Sequence, residues 1–93
     1  MIFEYDPEKS KVNLKKHGID FEQAQKIWKG SYVEFSAKSE FENRFAMIGF
    51  FGDKLYTCIY TLRGNKIRLI SCRRSREKEI ALYEKSIKEA KNG

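Results

Sequence analysis

Apolar residues are most concentrated in three runs near the middle of the chain, at positions 43–51, 54–63 and 66–74. Each is rich in β-branched and aromatic residues, and each is parted from the next by a two-residue turn signal, Gly52-Asp53 and then Gly64-Asn65. Glycine reaches positive φ without steric cost, so both dipeptides suit the tight loops of antiparallel hairpins. The pattern predicts a three-stranded meander.

The two loops set a register. Counting outward from Gly52-Asp53 puts Arg44 opposite Thr61, and counting from Gly64-Asn65 puts Thr61 opposite Arg68. These three share one rung and one face, with Ala46, Ile59 and Ile70 two rows on. The other face carries Phe45, Tyr60 and Leu69, then Met47, Cys58 and Ser71, and reads as the main core. A slip of one residue would exchange the faces. Two arginines flanking a threonine repel each other by a few tenths to about 1 kcal/mol. Either nearby carboxylates offset this, with Glu40 and Glu42 close in sequence, or an anionic ligand does.

The flanks read as helices. Ile2-Phe3-Glu4-Tyr5 suits a short edge strand, and Asp6-Pro7-Glu8 marks a helix start. That helix runs to His17, where Lys15, Lys16 and His17 favour the negative end of its dipole and Gly18 stops it. Asp20 with Gln23 forms a capping box for a second helix, with Phe21, Ala24, Ile27 and Trp28 on one apolar face. Gly30 ends it. Positions 31–37 suit a further strand and 38–43 a loop. Ser75 suits the cap of a last helix, whose buried stripe is Ile80, Tyr83, Ile87 and Ala90. The class is α+β: an antiparallel sheet of three to four meander strands plus a short N-terminal strand, two N-terminal helices and one C-terminal helix.

Composition narrows what such a domain does. The 93 residues suit one domain, 1–93, and a 41% hydrophobic fraction is too high for a disordered chain. No apolar run reaches the ~20 residues of a membrane span, and the N-terminus lacks the basic and apolar regions of a signal peptide, so a cytoplasmic protein is expected. Under the register above, Cys58 and Cys72 point to opposite faces and do not bond; both read as small buried hydrophobes. There is one histidine, and no Cys or His stands at metal-ligand spacing, so neither a zinc site nor another cofactor is expected. Nineteen Lys+Arg against 13 Asp+Glu give a net charge of +6, which suits polyanions rather than a membrane surface.

The basic residues are not evenly spread. Arg44, Arg63, Lys66 and Arg68 lie in the meander, and Arg73, Arg74 and Arg76 bunch where it meets the last helix. Guanidinium groups fork onto phosphates and stay charged near neutral pH. Phe50, Phe51, Tyr56 and Tyr60 are interleaved, a mixture that suits single-stranded RNA. RNA is cut without metal when its 2′-hydroxyl attacks the adjacent phosphate. The protein must align the strand, move two protons and stabilise charge on the phosphorane. Arginines serve the last need. Glu42, Glu79, His17 and Tyr83 are all candidates for proton transfer. A single histidine excludes a two-histidine mechanism.

Taken in order, the motifs Phe3-Glu4-Tyr5-Asp6-Pro7, Asn13-Leu14-Lys15-Lys16-His17-Gly18, Phe21-Glu22-Gln23-Ala24, Glu42-Asn43-Arg44, Thr61-Leu62-Arg63-Gly64 and Ile67-Arg68-Leu69-Ile70-Ser71-Cys72-Arg73-Arg74, with Glu79 and Tyr83, resemble the BrnT family. These are RelE-like ribonuclease toxins of type II toxin–antitoxin systems. Tyr5 stands where the family often has tryptophan, Cys72 where alanine is common, and the segment 29–41 follows the family least. The resemblance implies a metal-independent endoribonuclease that blocks translation. It also implies a BrnA-type antitoxin partner with a ribbon-helix-helix domain, which covers the basic sheet and through which the complex binds promoter DNA. Carried onto this chain, it makes Arg44, Arg63, Arg68, Arg73 and Arg74 the phosphate-handling set. Lys16, His17, Glu79 and Tyr83 are helpers, and Lys66 and Arg76 are added RNA contacts. Arg73 is expected on the opposite face from Arg44, where it serves the partner. The alternative is a basic RNA-binding or adaptor module without catalysis.

Overall fold

The computed structural model describes residues 1–37 and 43–92. In chain order the elements are β1 (Ile2–Glu4), α1 (Pro7–His17), α2 (Phe21–Ala24), which runs on into a 3-10 turn (Gln25–Lys29), β2 (Tyr32–Ala37), β3 (Arg44–Phe51), β4 (Lys54–Arg63), β5 (Lys66–Arg74) and α3 (Glu77–Asn92). The five strands form one sheet in the order β1-β5-β4-β3-β2. β2 to β5 run antiparallel, and β1 pairs parallel to β5. This is the expected α+β architecture.

Local chemistry sets the boundaries. The Asp6 side chain accepts from the Glu8 N–H at 2.9 Å, Pro7 sits in the first turn, and Gly18 closes α1 in the left-handed region at φ 74°. Both halves of the Asp20–Gln23 capping box are formed. Gly52 and Gly64 each take φ 64° at the first loop position, and neither Asp53 nor Asn65 has positive φ. That combination is the II′ hairpin, whose twist matches the flanking strands.

The core lies between the sheet and the N-terminal helices. Ile19, Phe21, Ala24, Ile27 and Trp28 pack against Met47, Tyr56, Cys58, Tyr60, Leu69 and Cys72. Trp28 sits edge-on to Phe3 and Tyr60 at ring distances of 5.1 and 5.5 Å. Gly49 faces this layer, and a Cβ there would stand 2.6 Å from Ile27 Cγ2.

One irregularity changes what half of β5 presents. The expected pairs Arg44–Thr61–Arg68 and Phe45–Tyr60–Leu69 are present, but the ladder then shifts between Ile59 and Tyr60. Ile59 pairs with Ser71 rather than Ile70, and Cys58 pairs with Cys72 rather than Ser71. Ile70 is the extra residue of a β-bulge, which inverts the alternation of everything after it. Three expectations are corrected as a result. Ser71 leaves the core face. Cys72 joins it, so the two cysteines lie on the same face, both free, with Sγ atoms 2.6 Å apart. Arg73, opposite Thr57, lies on the same face as Arg44, Thr61 and Arg68, while Arg74, opposite Tyr56, turns to the other.

α3 packs on β3 and β2 from the face of Arg44, Thr61 and Arg73, opposite the core. Its start differs from expectation. The Ser75 hydroxyl pairs with that of Thr57 at 2.9 Å, and the Ser75 N–H donates to the Leu55 carbonyl, so Ser75 belongs to the sheet edge. Arg76 holds the cap position, and the Glu79 carboxylate reaches back to its N–H at 2.7 Å. Tyr83 is buried and Ile80 and Ile87 half-buried, but Ala90 is exposed, so the apolar stripe ends a turn early. Among the described residues no helix is long and apolar enough to cross a membrane.

Candidate functional site

The face carrying α3 has two clusters of charge, both built on β4 and β5. The first is the Arg44–Thr61–Arg68 rung. Thr61 is buried, and its hydroxyl donates to the Asn43 carbonyl at 2.7 Å, which ties the entry of β3 to β4. Parallel pairing sets Glu4 of β1 directly beside Arg68. Glu4 Oε1 lies 3.7 Å from an Arg68 nitrogen and 3.8 Å from an Arg63 nitrogen. A carboxylate beside Arg63 and Arg68 therefore comes from β1, a long way off in sequence. Glu40 and Glu42, the acids expected there, lie outside the described residues, as does the candidacy of Glu42 for proton transfer. Lys66 pairs with Arg63 beside the second hairpin loop and is exposed.

The second cluster forms where β5 runs into α3. Arg73 donates from both terminal nitrogens to the two oxygens of Glu79, at 2.8 and 2.9 Å. Glu79 also accepts from the Arg76 N–H and from the Thr57 side chain. Partial burial alone would raise the Glu79 carboxyl, but the Arg73 hydrogen bonds, with the Arg76 N–H, the Arg73 charge and Thr57, outweigh it and hold the group below its ordinary value. The same bonds push the Arg73 guanidinium up. Glu79 is thus a carboxylate surrounded by donors. It orients Arg73 and does not suit proton exchange, which needs a group poised near the working pH.

Between the clusters, at the edge of β5 beyond the end of β1, α1 docks on the strand. Asn13 makes this contact. Its amide nitrogen donates to the carbonyls of Ile19 and Cys72, each at 2.8 Å, and its oxygen accepts from the Cys72 N–H at 3.2 Å. The side chain thus takes the place of a strand neighbour that β1 is too short to supply. Docking leaves an open groove of about 310 Å³ lined by Glu8, Lys9, Val12, Asn13, Lys16 and His17 of α1 and by Ile70 and Ser71 of β5. Lys16 and His17, exposed at the C-terminal end of α1, are thereby brought to Ser71, which lies on β5 between Arg68 and Arg73 and shares their face.

Other candidates lie elsewhere. Arg74 is exposed with its guanidinium 6.0 Å from the Tyr56 ring centre, on the face away from Arg68. Arg76 is exposed at the start of α3. Tyr83 is buried, its ring edge-on to Phe50 at 5.6 Å. Asn13 and Ser71 were not singled out by sequence reasoning, although both stand inside motifs that were. Their roles follow from the bulge and the docking of α1, and neither has a local signature. Among the described residues no three His, Cys, Asp or Glu side chains gather as a metal ion requires.

A family model described as the ribonuclease toxin BrnT of type II toxin–antitoxin systems matches residues 5–79. That span takes in α1, the whole antiparallel ladder and the Arg73–Glu79 pair, and leaves most of α3 outside. Comparison with curated proteins gives no match.

Proposed function

Since this chain belongs to the BrnT family of ribonuclease toxins of type II toxin–antitoxin systems, we propose that residues 1–93 act as one toxin domain that cuts RNA on the arginine-bearing face of its sheet. The cleavage uses no metal, takes place in the cytoplasm and stops translation. A BrnA-type antitoxin covers the face, and the complex binds promoter DNA through the antitoxin's ribbon-helix-helix domain.

The observation that carries this reading is the run of Arg68, Ser71 and Arg73 along one face of β5, with Lys16 and His17 set beside Ser71. An RNA strand laid along β5 meets fixed positive charge at both ends of the run. Arg44, Arg63 and Arg68 bind phosphates at one end, with Lys66 at the margin. Arg73, held rigid by Glu79, takes the charge that develops on the phosphorane, where a preorganised donor is worth most. His17 is the group at the groove suited to proton transfer and Lys16 its electrostatic neighbour. Glu79 acts through Arg73. Arg74, Arg76 and Tyr83 are peripheral, serving the flanking strand or the packing of α3.

The test uses purified protein, defined RNA and excess chelator. New ends bearing 2′,3′-cyclic phosphate and 5′-hydroxyl are expected, with cleavage lost in Arg68→Ala and in Arg73→Ala. Absence of such ends sinks the catalytic reading. A second reading, a basic RNA-binding or adaptor module, draws on the commitment of the Glu79 carboxylate to Arg73 and Arg76. It predicts salt-sensitive RNA binding without new ends.

A further inference from the structure

Two of the arginine–carboxylate contacts on this face are unlike each other. Arg73 and Glu79 form a fork with both oxygens at hydrogen-bond distance, and their side chains are 23% and 18% exposed. Glu4 makes a looser contact. A single oxygen lies 3.7 and 3.8 Å from two different guanidinium groups, outside hydrogen-bond range of both, and Arg63 is 61% exposed. One negative oxygen between two guanidinium groups is the charge arrangement of a phosphodiester bound to the same pair. Glu4 sits there for topological reasons, because β1 runs parallel to β5 and ends with Glu4 beside Arg68.

We propose that Arg63 and Arg68 form a phosphodiester subsite and that Glu4 is its resident internal anion, which the RNA backbone must displace. This rests on the RNA reading above and assigns Glu4 a role as a specificity-determining residue: it weakens RNA binding and holds the two arginines in place while the site is empty. Displacement is feasible because the contact is loose and the edge strand is only three residues long. The Arg73–Glu79 fork does not open in the same way, since Glu79 also closes the first turn of α3.

The test measures binding of an uncleavable 2′-O-methyl oligoribonucleotide to the full chain across a salt series. Glu4→Gln is expected to tighten binding about two- to fivefold, the size of effect that a partly exposed ion pair supports. In a chain also carrying Arg63→Gln and Arg68→Gln that gain is expected to vanish. Glu4→Thr, which suits an edge strand, repeats the measurement with a different side chain, and melting curves check that each variant is folded. Unchanged or weaker binding in both Glu4 variants overturns the proposal. So does an equal gain in the background lacking the two arginines, which makes the effect one of net charge alone. A fall of a hundredfold or more in the saturating single-turnover cleavage rate of Glu4→Gln also overturns it, by making Glu4 a proton-transfer group. If the wild type and every variant fail to bind, the RNA reading falls with it. If all bind and Glu4 has no effect, only the present proposal falls.

Discussion

Arg73 and Glu79 meet at the corner between β5 and α3 through two parallel hydrogen bonds of 2.8 and 2.9 Å, and the same carboxylate caps the helix that follows. The pair therefore joins the candidate site to the packing of α3. Replacing Glu79 by glutamine removes the charge and one acceptor, and a destabilisation of about 1.5–3 kcal/mol is expected from charged hydrogen bonds of this kind. The pH dependence has a definite sign. The folded-state value of Glu79 is depressed, so its contribution is fully present above the ordinary glutamate value, roughly 4.3, and is lost as pH falls through the folded value beneath it. Urea midpoints of wild type and Glu79→Gln should differ at pH 7 and draw together as the pH is lowered through the acid range.

The face on which each arginine lies should show in RNA binding. Arg68 shares the Thr61 and Ser71 face, and Arg74 lies opposite Tyr56 on the other. Arg68→Ala should weaken binding and lower the salt slope by about 0.7 for each phosphate that is no longer neutralised. Arg74→Ala should have the smaller effect. Equal effects would show that the strand does not follow this face.

Asn13 should matter to both stability and site. Asn13→Ala leaves the Cys72 N–H and two buried carbonyls without their partner, at about 1–3 kcal/mol for each group left unsatisfied. Lys16 and His17 then lose their anchor on β5. Thermal melts should show the loss, and RNA cleavage measured well below the melting temperature should fall as well.

Gly49→Ala offers a control remote from the charged face. Its new Cβ would meet Ile27 Cγ2 at 2.6 Å and Tyr32 Cβ at 3.2 Å. Overpacking of this kind costs about 1–3 kcal/mol. The melting temperature should drop while RNA affinity of the folded protein stays unchanged.

The buried thiols should be inert. Burial pushes the Cys58 thiol up, with the neighbouring Cys72 adding to the effect, and alkylation needs the thiolate. Iodoacetamide at pH 8 should label neither cysteine in the native chain and both in denaturant, as read by mass spectrometry.

Much of this molecule is legible in its sequence because the signals are local. The Asp6 and Asp20 caps, the Gly18 stop and the two II′ loops each depend on a few adjacent residues, and each stands where the pattern puts it. The loops also set the register of β3 on β4, and of β5 as far as Leu69. Ser75 misleads because a serine ahead of two glutamates has the composition of a cap. The hydroxyl of Thr57, on a distant strand, takes it instead.

The amino-acid order by itself determined the α+β layout, the position of the hairpins and the rung of Arg44, Thr61 and Arg68, since alternation and turn chemistry act over neighbours. Tertiary structure decided the rest. The bulge at Ile70 turned Arg73 toward the arginine face and Cys72 into the core, and no turn residue announces it. The parallel pairing of β1 supplied Glu4, and Asn13 drew His17 to Ser71. These depend on which surfaces pack together after the strands have formed, and a pattern of period two carries no information about that.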